Sequence, residues 1–119
     1  MKLFTSEQHR QLLANGRWNK SRIAQDESPD DFRPIVKLFC PWSVATWLLS
    51  ELDPDDPEIA FGLCDLGQGT PELGRVSLTE LSAVRGPGGL AIERDRHFRP
   101  AKTLQAYAED ARRQGRVFA

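Results

Sequence analysis

Residues able to do chemistry are few in this chain, and they are scattered. The soft ligands and nucleophiles are His9, Cys40, Cys64 and His97. None stands in the close pairs that structural zinc sites use, so buried, hydrophobe-like thiols are the plain reading. A nucleophilic cysteine would need His97 beside it to hold the thiolate. Cys64, Asp65, Glu72 and His97 are the groups from which a small enzyme near the glycine-rich bend could be built. That bend, "LGQGTPELG" (66–74), could turn backbone amides toward an anion. It lacks the lysine and Ser/Thr of a phosphate loop, and it leads into a strand rather than a helix. A hairpin connection with glycines at positive φ is therefore expected, with residues 70–74 as turn. The sequence assigns no catalytic residue, no metal ligand and no cofactor.

Two charged stretches carry the remaining chemistry. Glu51, Asp53, Asp55, Asp56 and Glu58 form an acidic run broken by Pro54 and Pro57. The central glycine and fixed ligand offsets of an EF-hand are missing, so the run reads as a solvated acidic turn. Glu51, Asp53, Asp55 and Asp56 then form an acidic docking surface for a basic partner. The second stretch is "LAIERDRHF" (90–98). In strand alternation Arg94 and Arg96 share a face with Ile92 and Phe98, while Glu93, Asp95 and His97 share the other with Ala91. A strand charged on both faces reads as a sheet edge. Arg94, Arg96, Phe98, Arg99 and Lys102 make a candidate surface for nucleic acid or a partner, joined by Arg112, Arg113 and Arg116. Guanidinium groups beside an aromatic hold phosphates and stack on bases. The competing reading is edge protection with salt bridges to the acidic middle.

These residues must be positioned by a chain of 119 residues, enough for one core. Hydrophobic residues make up 39% and charged residues 28%, as in an ordinary soluble domain. The net charge of −1 gives no overall pull toward nucleic acid or membrane. It is distributed unevenly: +1 over residues 1–33, −6 over 34–73 and +4 over 74–119. No apolar run approaches a membrane span, and "MKLFTSEQHR" has no signal-peptide core. Two cysteines without an export signal imply a cytoplasmic setting.

The spacing predicts a helix over 6–15, opened by the capping box Thr5/Gln8 and stopped by Gly16. Residues 17–33 read as a polar linker with Trp18 and Ile23 as anchors, so 1–33 is set apart from a globular domain at 34–119. A strand is expected at 34–39, a helix at 42–52 started by Pro41, and strands at 58–66 and 74–76. "SLTE" caps a helix from Ser77 to Val84. A strand at 90–98 and a helix at 102–113, with Leu104, Tyr107, Ala108 and Ala111 on one face, complete the order. The class is α+β, a small mixed sheet of three or four strands with helices packed on it; a ferredoxin-like arrangement is one topology of that order.

The pieces "VKLF", "ATWLLSELDPDDPEIAFGLCDLG", "PELG", "VSL-EL" and "ERDRHF" together resemble the domain of unknown function 2958 family, over about residues 34–108. Those are small proteins of bacterial conjugative plasmids and integrative elements. The resemblance implies a bacterial, cytoplasmic, mobile-element setting and an accessory module. It carries over no catalytic residue. The function expected is a non-catalytic interaction module whose partner is a protein encoded on the same element. A nucleic-acid-binding accessory and a small enzyme stand as alternatives, and no membrane role is expected.

Overall fold

The computed structural model describes residues 3–119. Thr5 opens helix α1 (Ser6–Ala24) with a complete capping box. Its hydroxyl accepts from the Gln8 amide at 3.1 Å, and Gln8 Oε1 accepts from the Thr5 amide at 2.9 Å. The helix does not stop at Gly16. That glycine is buried in mid-helix, and a Cβ built on it would lie 1.8 Å from the Leu52 carbonyl oxygen. It is the point where the helix touches the sheet, so the contact outweighs glycine's poor helix propensity of about 1 kcal/mol. The expected linker therefore begins only after residue 24.

Val36–Phe39 forms β1, as the alternation predicts. Residues 42–52 are not a helix. The chain turns at Pro41, where the Ser43 amide donates to the Cys40 carbonyl at 3.1 Å, and returns as β2 (Thr46–Asp53). Proline suits the second position of such a turn as well as it suits the first turn of a helix. "WLLSEL" is apolar in succession because β2 is covered on both faces, and a short run of that kind fits either periodicity.

Strand β3 (Asp56–Asp65) follows β2 through a tight turn at Pro54-Asp55. It leads through the glycine bend into β4 (Glu72–Ser77). Gly67 and Gly69 take the positive φ that the bend needs, whereas Glu72, Leu73 and Gly74 already belong to β4. The Ser77 hydroxyl accepts from the Glu80 amide and opens α2 (Leu78–Ala83). The strand expected at 90–98 shrinks to β5 (Glu93–Arg94). Helix α3 (Leu104–Gln114) is capped by Thr103 and ends on Gly115 in the left-handed region.

All pairings are antiparallel, in the order β4-β3-β2-β1-β5. The α+β class stands, but the sheet has five strands rather than three or four. Strands β4-β3-β2-β1 form an antiparallel meander, and the chain then crosses the sheet through α2 to pair β5 with β1. The β-α-β unit that opens a ferredoxin-like fold is missing, because β1 runs directly into β2 with no helix between them. Helix α1 and α2 cover one face over Leu12, Val36, Leu38, Trp47, Leu49, Leu52, Ala60, Leu78, Leu81 and Ile92. Helix α3 covers the other with Leu104, Tyr107, Ala108 and Ala111, packed on Leu48 and Leu63. Those four are the apolar face that its spacing predicts. No helix among the described residues is long and apolar enough to cross a membrane.

Candidate functional site

A cleft forms where β1 ends too soon. Strand β1 pairs with β2 only as far as Val36↔Leu49, so beyond Leu49 the β1-side edge of β2 has no strand beside it. A bulge between Leu49 and Glu51 also shifts the register there. Asn15 in α1 covers part of this open edge by donating to the Ser50 carbonyl at 2.9 Å. The strap at 25–35 runs from α1 to β1 and closes the other side, passing the start of α3. Its Asp31 carboxylate accepts from the Gln105 amide at 3.0 Å, and its Phe32 carbonyl accepts from the Leu104 amide at 2.9 Å. The strap thus supplies two acceptors to the free amides at the start of α3. Between these walls lies an open cleft of about 510 Å³.

Its floor is apolar, from Ile23, Phe32, Leu52, Ile59, Phe61 and Leu104. Its rim is acidic: Asp30, Asp31, Glu51, Asp53 and Asp55 against two cations, Lys20 and Arg75. Both cations are occupied, Lys20 by Asp55 at 2.5 Å and Arg75 by Asp53 at 2.6 Å. These pairs are largely exposed and contribute little each, about 0–1 kcal/mol.

Asn19 organises the interior of the cleft. It is 2% exposed. Its amide nitrogen donates to Glu51 Oε1 at 3.0 Å and to the Asp30 carbonyl at 3.2 Å, and its oxygen accepts from the Asp30 amide at 2.7 Å. Trp18 adds a hydrogen bond from Nε1 to the Asp30 carboxylate at 2.6 Å. Trp18 is therefore a helical residue anchoring the strap, although 53% of it is exposed.

Burial pushes the Glu51 carboxyl above its ordinary value of 4.5, and the Asn19 hydrogen bond opposes that only in part. Asp53 moves the other way, held low first by the Asp55 amide and then by Arg75. The two shifts act on stability with opposite sign. A raised carboxyl favours the folded state below 4.5, and that contribution is lost as pH rises through the folded value. Glu51→Gln is accordingly expected to be the more stable protein at pH 7 and to flatten the loss of stability above pH 4.5. Urea titrations between pH 4 and 7 check this; parallel curves for the two proteins would refute it.

The other sequence candidates separate. Glu51, Asp53 and Asp55 share the cleft, while exposed Asp56 opens β3 outside its lining. Cys64 pairs with Glu72 across β3–β4, and burial then Glu72 push its thiol up to about 11, the reverse of an activated nucleophile. His97 follows β5, and both β2 and β1 lie between β5 and β3. With about 4.8 Å per strand step, Cys64 and His97 are too far apart to work as a pair. Cys40 and Cys64 are both free. Among the described residues no group of three His, Cys, Asp or Glu could hold a metal ion.

The arginine segment differs from its expected geometry. Ile92 joins the core under α1, and Phe98 packs against the core under α3. They cannot share one face, because the strand ends at Arg94 and Asp95 starts a turn, its carboxylate accepting from the His97 amide at 2.9 Å. Lys102 is bonded to Asp110. The segment does lie at the sheet edge, as its charges predict. Among the described residues its arginines make no salt bridge to the acidic middle, where Lys20 pairs with Asp55 and Arg75 with Asp53.

The sequence reading missed Gly16 and Asn19. The available signal was the spacing Leu12–Gly16–Asn19, one helical face running straight through the glycine.

Fold and cleft define a small α+β protein with a sheet covered on both faces and an acidic cleft at an open strand edge. The chain belongs to the family of proteins of unknown function DUF2958, whose profile matches residues 3–118, nearly its whole length. No curated protein and no solved structure matches it.

Proposed function

We propose that this protein is a non-catalytic interaction module of a bacterial mobile genetic element, acting in the cytoplasm, and that its cleft docks a segment of a partner protein encoded on the same element. The observation that supports this is the cleft's composition among the described residues, an apolar floor under a rim of five carboxylates against two cations; Lys20 and Arg75 neutralise Asp55 and Asp53 and leave the rim net acidic. Such a lining suits a segment that buries apolar side chains and places a lysine or arginine near Glu51. The charge steers the encounter and the floor supplies the affinity. The free thiols at Cys40 and Cys64 fit a reducing compartment. Membership of the family is consistent with the mobile-element setting that the sequence resemblance implies.

Ile23→Arg tests the reading. Ile23 lines the cleft and is 59% exposed, so the variant is expected to fold normally. It places bulk and positive charge where the partner would sit. A partner recovered with the wild-type protein from its host should bind this variant at least about tenfold more weakly, a cost of about 1.4 kcal/mol. Equal binding of both proteins in a titration with that partner would exclude the cleft as the docking site.

A further inference from the structure

A second surface lies at the β5 edge of the sheet, on residues that do not line the cleft. We infer that the β5 edge and the tail after α3 together form a contact surface for single-stranded nucleic acid. The two segments are distant in sequence but meet at one lysine. Lys37 Nζ lies 3.5 Å from the Asp95 carboxylate and donates to the Ala119 carbonyl at 2.7 Å. The tail is held from its other side by Asp65, whose Oδ2 accepts from the Val117 amide at 2.9 Å. This brings the end of the tail, whose preceding residues include Arg116 and Phe118, to the turn that begins at Asp95 and is followed by Arg96 and Arg99.

The chemistry assembled there is cationic and aromatic. Among the described residues no carboxylate is ion-paired with Arg94, Arg96, Arg99 or Arg116; the recorded salt bridges all involve other cations. Asp95, the acid nearest the turn, is paired with Lys37. Phe118 is 45% exposed, and the Arg116 guanidinium lies 4.2 Å from its ring centre. An exposed ring with a guanidinium on it is a platform for a base, and unpaired arginines around it are sites for successive phosphates. Single strands fit better than a duplex. The surface offers an edge, a turn and a short tail, with no helix or strand pair projecting far enough to enter a groove. This surface is independent of the cleft, so the protein would hold a partner and a nucleic acid at once.

The test is fluorescence anisotropy of a labelled oligothymidylate, about 15 nucleotides long, titrated with the full chain at several salt concentrations. Four phosphate contacts predict a slope of log affinity on log salt of about −3, or roughly a fifty-fold loss between 50 and 200 mM salt. Arg96→Glu with Arg99→Glu should cut that slope to about −1 and remove most of the binding. Phe118→Ala should weaken binding about tenfold or more while leaving the slope in place, as loss of stacking does. All three residues are exposed, and circular dichroism of each variant confirms folding. No binding at 50 mM salt would overturn the inference. So would binding that these variants leave unchanged, or tighter binding of an oligoglutamate peptide than of the oligonucleotide, which would assign the surface to an acidic protein. Loss of oligonucleotide binding with partner binding intact keeps this surface distinct from the cleft.

Discussion

Gly16→Ala is expected to destabilise the protein by about 2–4 kcal/mol, although alanine is the better helix former. Helix propensity alone would favour the substitution by about 1 kcal/mol. The geometry opposes it more strongly. The new methyl would lie 1.8 Å from the Leu52 carbonyl oxygen and 3.0 Å from its carbon. These are backbone atoms of β2, and no rotamer change moves them aside. Relief requires α1 to lift from the sheet, which loosens the packing of fully buried Leu12 and widens the cleft. Urea denaturation should show a lower midpoint at unchanged slope. A midpoint equal to or above that of the wild type would mean that α1 does not seat on β2 in this way. The helix is therefore placed by one missing methyl group, and the cleft wall with it.

Asn19→Leu is the second large effect, a loss of about 2–3 kcal/mol. The branched skeleton is the same, so the shape is kept while two bulkier methyl groups replace the amide oxygen and nitrogen at a site that is 2% exposed. Three hydrogen bonds disappear, and each leaves a partner behind. The Asp30 amide and carbonyl lose their acceptor and donor, and half-buried Glu51 loses the bond that partly offsets its burial. Leaving buried polar groups unmatched costs more than the bonds themselves contribute. The consequence extends to dynamics. Without Asn19 the strap is held by Trp18, Arg22 and the start of α3, so amides near 28–32 should exchange faster than the rest of the fold loses protection. Hydrogen exchange resolved by residue separates that local opening from global destabilisation. Unchanged exchange at those amides would show that Asn19 is not what holds the strap. Glu51 should also rise further in the variant, steepening the fall of stability as pH climbs above 4.5.

Several parts of the molecule were legible in the sequence because their cause is local. The box Thr5/Gln8 closes on itself within one turn and forms as predicted. The cap at Ser77 and the apolar face of α3 follow from spacing along one element. The glycine bend is a hairpin because positive φ at Gly67 and Gly69 is a property of those residues. The density of charge over 93–97 is local as well, and β5 (Glu93–Arg94) does lie at an edge.

Other parts depended on tertiary structure. "WSVATWLLSEL" fits a helix and a strand equally until it is known that both faces will be covered, and that depends on α1 and α3, far away in sequence. Gly16 has the propensity of a helix stop, and only contact with Leu52 makes it a packing site. Neither the cleft nor the arginine surface belongs to a single segment. The cleft exists because β1 is shorter than β2, and the strap from α1 to β1, bonded to the start of α3, walls it. The arginine surface exists because Lys37 gathers the turn after β5 and the tail after α3. Sequence by itself determined the α+β class, the caps, the hairpin glycines and the separation of acidic from basic segments, since each is an energy between near neighbours. The helix-to-strand change at β2, the passage of α1 through Gly16 and both candidate surfaces were decided by the tertiary structure, because burial and long-range pairing exceed local preferences of about 1 kcal/mol per residue.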